Sequence, residues 1–239
     1  MKENFTSINV VIDKSGSMSH LTADTIGGFN TFLADQKADS GTAALTLCLF
    51  NDNCDMVHVF KDLNEVEPLN EKTYRTSGYT ALLDALGTVI NDTGKKLSDM
   101  PEEERPSKVI VLVITDGQEN CSREYSKEKI KEMIAHQEEK YNWSFVFMGA
   151  NIDAVTEGAA IGISAQNSIQ YSASAAGTGS LYANVSKGVR RARFEGSAMR
   201  SNQRFFTAEE VASINHDVPD APVVPNIIAG TVDSTPEVK

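Results

Sequence analysis

"KVIVLVITDG", residues 108–117, is the stretch on which the fold turns. From Val109 to Ile114 every residue is apolar, and most are β-branched. A strand with no polar face is one covered on both sides, as in the middle of a parallel sheet. It ends abruptly on Thr115-Asp116-Gly117, polar residues where a buried strand meets a loop. Strand-length apolar runs and helical patterns alternate on either side of it. Upstream, Phe5 to Ile12 reads as a first strand, followed by a helix carrying Ile26, Phe29 and Leu33. "TAALTLCLF", the short turn "NDN" and "CDMVHVF" read as an antiparallel hairpin. A helix from about Thr80 presents Leu83, Leu86, Val89 and Ile90 on one face. Downstream come a helix over about Ser126 to Lys140, the strand "WSFVFMGA", a short helix in "IDAVTEGAAIG" and a short strand "NSIQY". "SASAAGTGS" reads as a small-residue loop before a last helix with Leu181, Val185 and Val189. The Arg190, Arg191 and Arg193 cluster suits that helix's carboxyl end.

This alternation predicts an α/β fold: a Rossmann-like three-layer α/β/α sandwich, its central sheet mostly parallel with one antiparallel edge strand. The expected organisation is a domain over residues 1–196 and an extended or disordered C-terminal tail over 197–239. The tail holds four of the seven prolines and no helical period.

The totals narrow the function. The 239 residues carry 33 acidic and 22 basic side chains, for a net charge of −11. That balance argues against a nucleic-acid-binding surface and against docking on an anionic membrane. No run has the length of a transmembrane helix and no signal peptide is evident, so a cytoplasmic location is expected. Cys48, Cys54 and Cys121 are expected to be free thiols, with a Cys48–Cys54 disulfide across the hairpin as the less favoured alternative. Histidines are few and scattered, so zinc sites of the usual types are not expected.

In such sheets ligands bind beyond the carboxyl ends of the strands, where strand order reverses. Two strand ends carry chemistry. "DKSGSMS", residues 13–19, follows the first strand, and "TDG" follows the central one. Between them "SGYTALLDA" brings Thr80 to a helix start. A polar turn would explain the first stretch alone. Together, Asp13, Ser15, Ser17, Thr80 and Asp116 form a set of hydroxyls and carboxylates, hard donors suited to Mg²⁺, Mn²⁺ or Ca²⁺. Gly16 is expected to let Ser15 and Ser17 point the same way, and Gly117 to follow the aspartate without steric cost.

The D-x-S-x-S stretch, a distant threonine before a helix and T-D-G after a central strand resemble the metal-ion-dependent adhesion site of von Willebrand factor type A domains. "GFNTFLADQK", "LFND", "GYTALLDALG" and "VITDGQEN" look most like stand-alone bacterial and phage members. The resemblance covers roughly residues 5 to 195. It implies that Ser15 and Ser17 bind a divalent cation, Mg²⁺ first among them, and that Thr80 joins in the ligand-ready state. Asp13 and Asp116 would act through water and hydrogen bonds to the serines. It also implies a protein partner presenting Asp or Glu, with an ATPase or a kinase/phosphatase system as the analogous setting. Asp84, His20 and Tyr79 are further candidates for the site's support or rim; Asp84 reads as well as a solvated helix position and Tyr79 as a packing residue, while a histidine placed like His20 more often caps a helix or faces solvent.

The expected function is therefore metal-dependent protein–protein interaction, as an adaptor or assembly domain rather than an enzyme. The alternative is a metal-dependent hydrolase or phosphotransferase using the same cation, with His20 and Glu119 as the nearby candidate bases. No G-x-x-x-x-G-K-[ST] and no G-x-S-x-G occurs in the chain.

Overall fold

The computed structural model describes residues 1–194 and 204–217. Six strands form one sheet: β1 (Lys2–Asp13), β2 (Thr42–Phe50), β3 (Cys54–Asp62), β4 (Pro106–Thr115), β5 (Ser144–Ala150) and β6 (Ser168–Tyr171). Their order is β3-β2-β1-β4-β5-β6, and every neighbouring pair is parallel except β2 with β3. The helices are α1 (Thr22–Ala38), α2 (Leu82–Ser98), α3 (Lys127–Tyr141), α4 (Ala154–Ala160), α5 (Ala175–Phe194) and α6 (Ala208–Ile214). This is the three-layer α/β/α sandwich with one antiparallel edge strand.

The two-residue period of the strands divides the core into two layers. Ile8, Val10 and Ile12 of β1, with Ile110, Leu112 and Ile114 of β4, pack on Phe29, Phe32 and Leu33 of α1 and Leu181, Val185 and Val189 of α5. Val11 and Val109, Val111 and Val113 face the other way, against Leu86, Val89 and Ile90 of α2 and Ile130 and Ile134 of α3. Trp143 is buried in this second layer and stacks on Phe145, 6.2 Å between ring centroids.

The chain winds from β1 outward to β2 and then crosses back to β4 on β1's other side. Strand order therefore reverses between β1 and β4, whose carboxyl ends are Asp13 and Thr115.

Two sequence expectations need correction. "SASAAGTGS" is not a loop throughout: α5 starts at Ala175 and runs through both glycines. Ser174 begins it, its Oγ accepting the Gly177 N–H and its carbonyl the Thr178 N–H. Such a cap offsets poor helix formers in the first turn. The second correction concerns part of the presumed tail. Residues 204–217 hold α6, opened by a capping box in which Thr207 and Glu210 satisfy each other's backbone N–H. Phe205, Phe206 and Ile214 are buried in the first core layer. Arg191 pairs with both oxygens of Glu210 at 2.5 and 2.7 Å. Arg193 is buried, donating to the carbonyls of Gln36 and Gly41, and Arg190 pairs with Asp39. The arginine cluster thus fastens α5 to its neighbours. The expected domain boundary at 196/197 and the rest of the expected tail lie outside the described residues.

Candidate metal centre

The centre is built on the end of β1. Asp13 closes a strand bonded on both sides, by β2 and by β4, and is fully buried. Its carbonyl accepts the Tyr74 hydroxyl at 2.6 Å. Its Oδ1 accepts the Ser15 N–H and its Oδ2 the Thr115 hydroxyl, each at 2.6 Å. The carboxylate is therefore held at once from the turn that follows β1 and from the end of β4.

Beyond Asp13 the chain turns over. The Lys14 N–H donates to the Phe50 carbonyl, and the Lys14 carbonyl accepts the Ser77 N–H. Ser15 Oγ and Ser17 Oγ lie 3.0 Å apart, and Ser17 Oγ donates to Asp116 Oδ1 at 2.6 Å. The two serines do point the same way, but not because Gly16 takes an unusual conformation: its φ is not among the positive ones. Gly16 instead lies against Gly78, its N–H donating to the Gly78 carbonyl at 3.0 Å. The left-handed glycine of the site is Gly78, with φ +76°. A Cβ there would stand 1.8 Å from Asp52 Oδ2, the oxygen that accepts the Tyr79 N–H. Gly78→Ala is expected to destabilise the fold by about 2 kcal/mol or more through that conformation and contact, measurable as a drop in urea midpoint.

Thr80 is nearly buried and is positioned by its backbone. Its N–H donates to Asn120 Oδ1 at 2.9 Å and its carbonyl accepts the Asn120 N–H at 3.1 Å. The next N–H, of Ala81, donates to the Asn51 carbonyl. Glu119 occupies the amino end of α2, accepting the N–H groups of Leu83, Cys121 and Ser122 and the Ser122 hydroxyl.

These segments meet over Gly117. A Cβ built there would lie 3.2 Å from Thr80 Oγ1, 3.6 Å from Ser17 Oγ and 3.9 Å from Asp13 Oδ2. Gly117 thus borders a space that three oxygens from three segments surround. Among the described residues no group of three or more His, Cys, Asp and Glu converges in this way. The donors here are chiefly neutral hydroxyls with two carboxylates, a set that fits a hard divalent cation. Burial pushes the Asp13 carboxyl up to about 6, against the pull of the Thr115 and Ser15 hydrogen bonds, with Asp116 adding a small push. Burial also raises Asp116, offset by the Ser17 hydroxyl and by His20. Two carboxylates held at such a cost are what a cation would relieve.

Of the remaining candidates, His20 bonds the Ser17 carbonyl through Nδ1 at 2.8 Å and so braces the serine turn. Tyr79 is 66% exposed on the rim beside Thr80. Asp84 does not support the cradle directly. Its carboxylate accepts the N–H groups of Arg123, Glu124 and Tyr125, pinning the loop that follows β4. The sequence reading missed Asn51, Tyr74, Gly78, Thr115 and Asn120 as positioning residues. The "SGYT" and "QEN" stretches held the only signal, turn formers flanking motif residues.

No family model matches the sequence, and no curated protein matches it. Solved structures do. Proximal thread matrix protein 1 from the mussel byssus superposes with a TM-score of 0.54 at 17% identity, covering 80% of this chain and 47% of that one. A structure of that protein with zinc in its metal-ion-dependent adhesion site gives 0.52 at 18% identity, covering 80% and 47%. A von Willebrand factor type A protein from Catenulispora acidiphila gives 0.50 at 14% identity, covering 79% and 43%. The chain spans less than half the length of each of these.

Proposed function

From the von Willebrand factor type A fold that this chain adopts, we propose a metal-dependent protein-interaction domain. Ser15, Ser17 and Thr80 would hold a divalent cation through their hydroxyls. Asp13 and Asp116 would balance its charge through water and through their hydrogen bonds. The observation that carries this reading is the meeting of Thr80 Oγ1, Ser17 Oγ and Asp13 Oδ2 around the open face of Gly117.

Neutral hydroxyls leave a divalent ion under-neutralised, and an Asp or Glu from a partner protein would complete it. A chain of net charge −11 repels acidic ligands at long range. Recognition would therefore be local and would run through the ion. Zinc in the mussel protein's site supports a divalent ion here, and the all-oxygen donors favour Mg²⁺ or Mn²⁺. Among the described residues no helix is long and apolar enough to cross a membrane.

A hydrolase would need a free base beside the ion. Glu119, one of the two nearby candidates, spends both oxygens on backbone and hydroxyl donors. Those contacts favour the binding reading over the hydrolytic one.

Calorimetric titration of the chelated protein with Mg²⁺ or Mn²⁺, with and without an Asp-containing peptide, tests the proposal. Saturable uptake is expected, and its loss in the Ser15→Ala, Ser17→Ala double variant. A folded chain that takes up neither ion under either condition would sink it.

A further inference from the structure

β2 and β3 turn into each other through residues 51–53, and their register sets Cys48 opposite Met56 and Phe50 opposite Cys54. Residues 48, 50, 54 and 56 therefore share one sheet face, the one that packs toward α2. Directly opposed side chains start from Cβ atoms roughly 5 Å apart, so Cys48 and Met56 are within reach of each other. Cys54 Sγ lies 3.7 Å from Met56 Sδ. Cys54 stands diagonally across from Cys48 on that face, and hydrogen bonding to Cys54, and then burial, push the Cys48 thiol well above its usual range. All three cysteines of the chain are free.

We propose that Cys48, Cys54 and Met56 form a second metal site, for a soft monovalent cation, Cu(I). Two thiols and a thioether with no carboxylate or imidazole in the set are soft donors, which select Cu(I) over the hard ions suited to the cradle. The placement is that of a site with one open side: Cys48 is buried, while Cys54 is half-buried and Met56 partly exposed at the sheet's edge. The neighbouring Lys14–Asp55 pair, 2.6 Å apart, gives no net help to the Cys48 thiolate, since Asp55 raises that thiol more than Lys14 lowers it, so the cation itself would displace the proton. Binding would replace two S–H bonds with two S–Cu bonds and release two protons to solvent, with copper remaining Cu(I) throughout. A disulfide suits the same pair less well. Cys48 and Cys54 are diagonal rather than opposed, a relation that sets Cβ atoms roughly 7 Å apart, whereas a disulfide needs about 4 Å.

The test is anaerobic competition between the full chain and bicinchoninate for Cu(I), with ascorbate present. The wild type should remove one equivalent of copper from the chelator. Cys54→Ser, at the half-buried position, should fail to do so while melting as the parent does. Cys48→Ala should fail likewise, Met56→Leu should bind about tenfold more weakly, and Cys121→Ser should match the wild type. Unchanged transfer to Cys54→Ser, transfer that depends on Cys121, or no transfer to the wild type would each overturn the proposal.

Discussion

Metal-free Asp13→Asn should unfold at a higher urea concentration than the metal-free parent at pH 7, and should take up no cation. Asp13 is fully buried, and its carboxyl sits near 6 rather than at the ordinary value of about 4. The folded state therefore holds this proton more tightly than the unfolded chain does. Stability from the group is complete below pH about 4 and is lost as pH rises toward 6. The loss amounts to up to about 3 kcal/mol by pH 7. Asparagine removes the charge and can keep the contacts. Its oxygen accepts the Ser15 N–H, and its amide donates to Thr115 Oγ, leaving that hydroxyl to the Gly117 carbonyl 3.1 Å away. The difference in unfolding free energy between variant and parent should thus grow between pH 4.5 and pH 7. A constant difference would show that the Asp13 charge is not strained.

Gly117→Ala should also abolish divalent-ion binding, but leave the stability of the fold nearly untouched. Gly117 does not have positive φ, so alanine brings no backbone strain. Its Cβ would meet Thr80 Oγ1 at 3.2 Å, which a shift of a few tenths of an ångström relieves. A stability change within about 1 kcal/mol is expected. The methyl group would nevertheless stand among the oxygens that an ion must approach to roughly 2.0–2.6 Å. Calorimetry beside a thermal melt separates the two effects. Binding that survives in Gly117→Ala would place the ion elsewhere.

What could be read from the chain follows from how locally each feature is encoded. Val109–Ile114 announces a strand covered on both faces within six residues, and β1, β2 and β5 do so almost as plainly. Asp13, Ser15 and Ser17 stand close together in sequence, and Thr80 and Asp116 sit where a helix begins and a strand ends. The structure brings all five together beyond the carboxyl ends of β1 and β4. The residues that aim them do not announce themselves. Asn51, Tyr74, Gly78 and Asn120 act across 26 to 62 residues of chain, through backbone groups that no periodicity marks. Asp84 looked like a neighbour of the site because it is four residues from Thr80. One turn of helix was enough to aim it at the loop over 123–125 instead. The paired Phe205 and Phe206 were the overlooked sign that part of the presumed tail had a core to join.

The position of β1 also bears on what happens under load. Asp13 ends a strand in register with β2 over nine residue pairs, Phe5–Thr42 to Asp13–Phe50, and with β4 along the other side. Under the proposed function, a partner gripping the ion would pull close to the strand axis. Tension along that axis shears both ladders at once, so many hydrogen bonds share it and none is peeled off first. The anchor point is thus at the mechanically stiffest place the sheet offers. The ion's own oxygen contacts, not the fold beneath them, would be the link that yields.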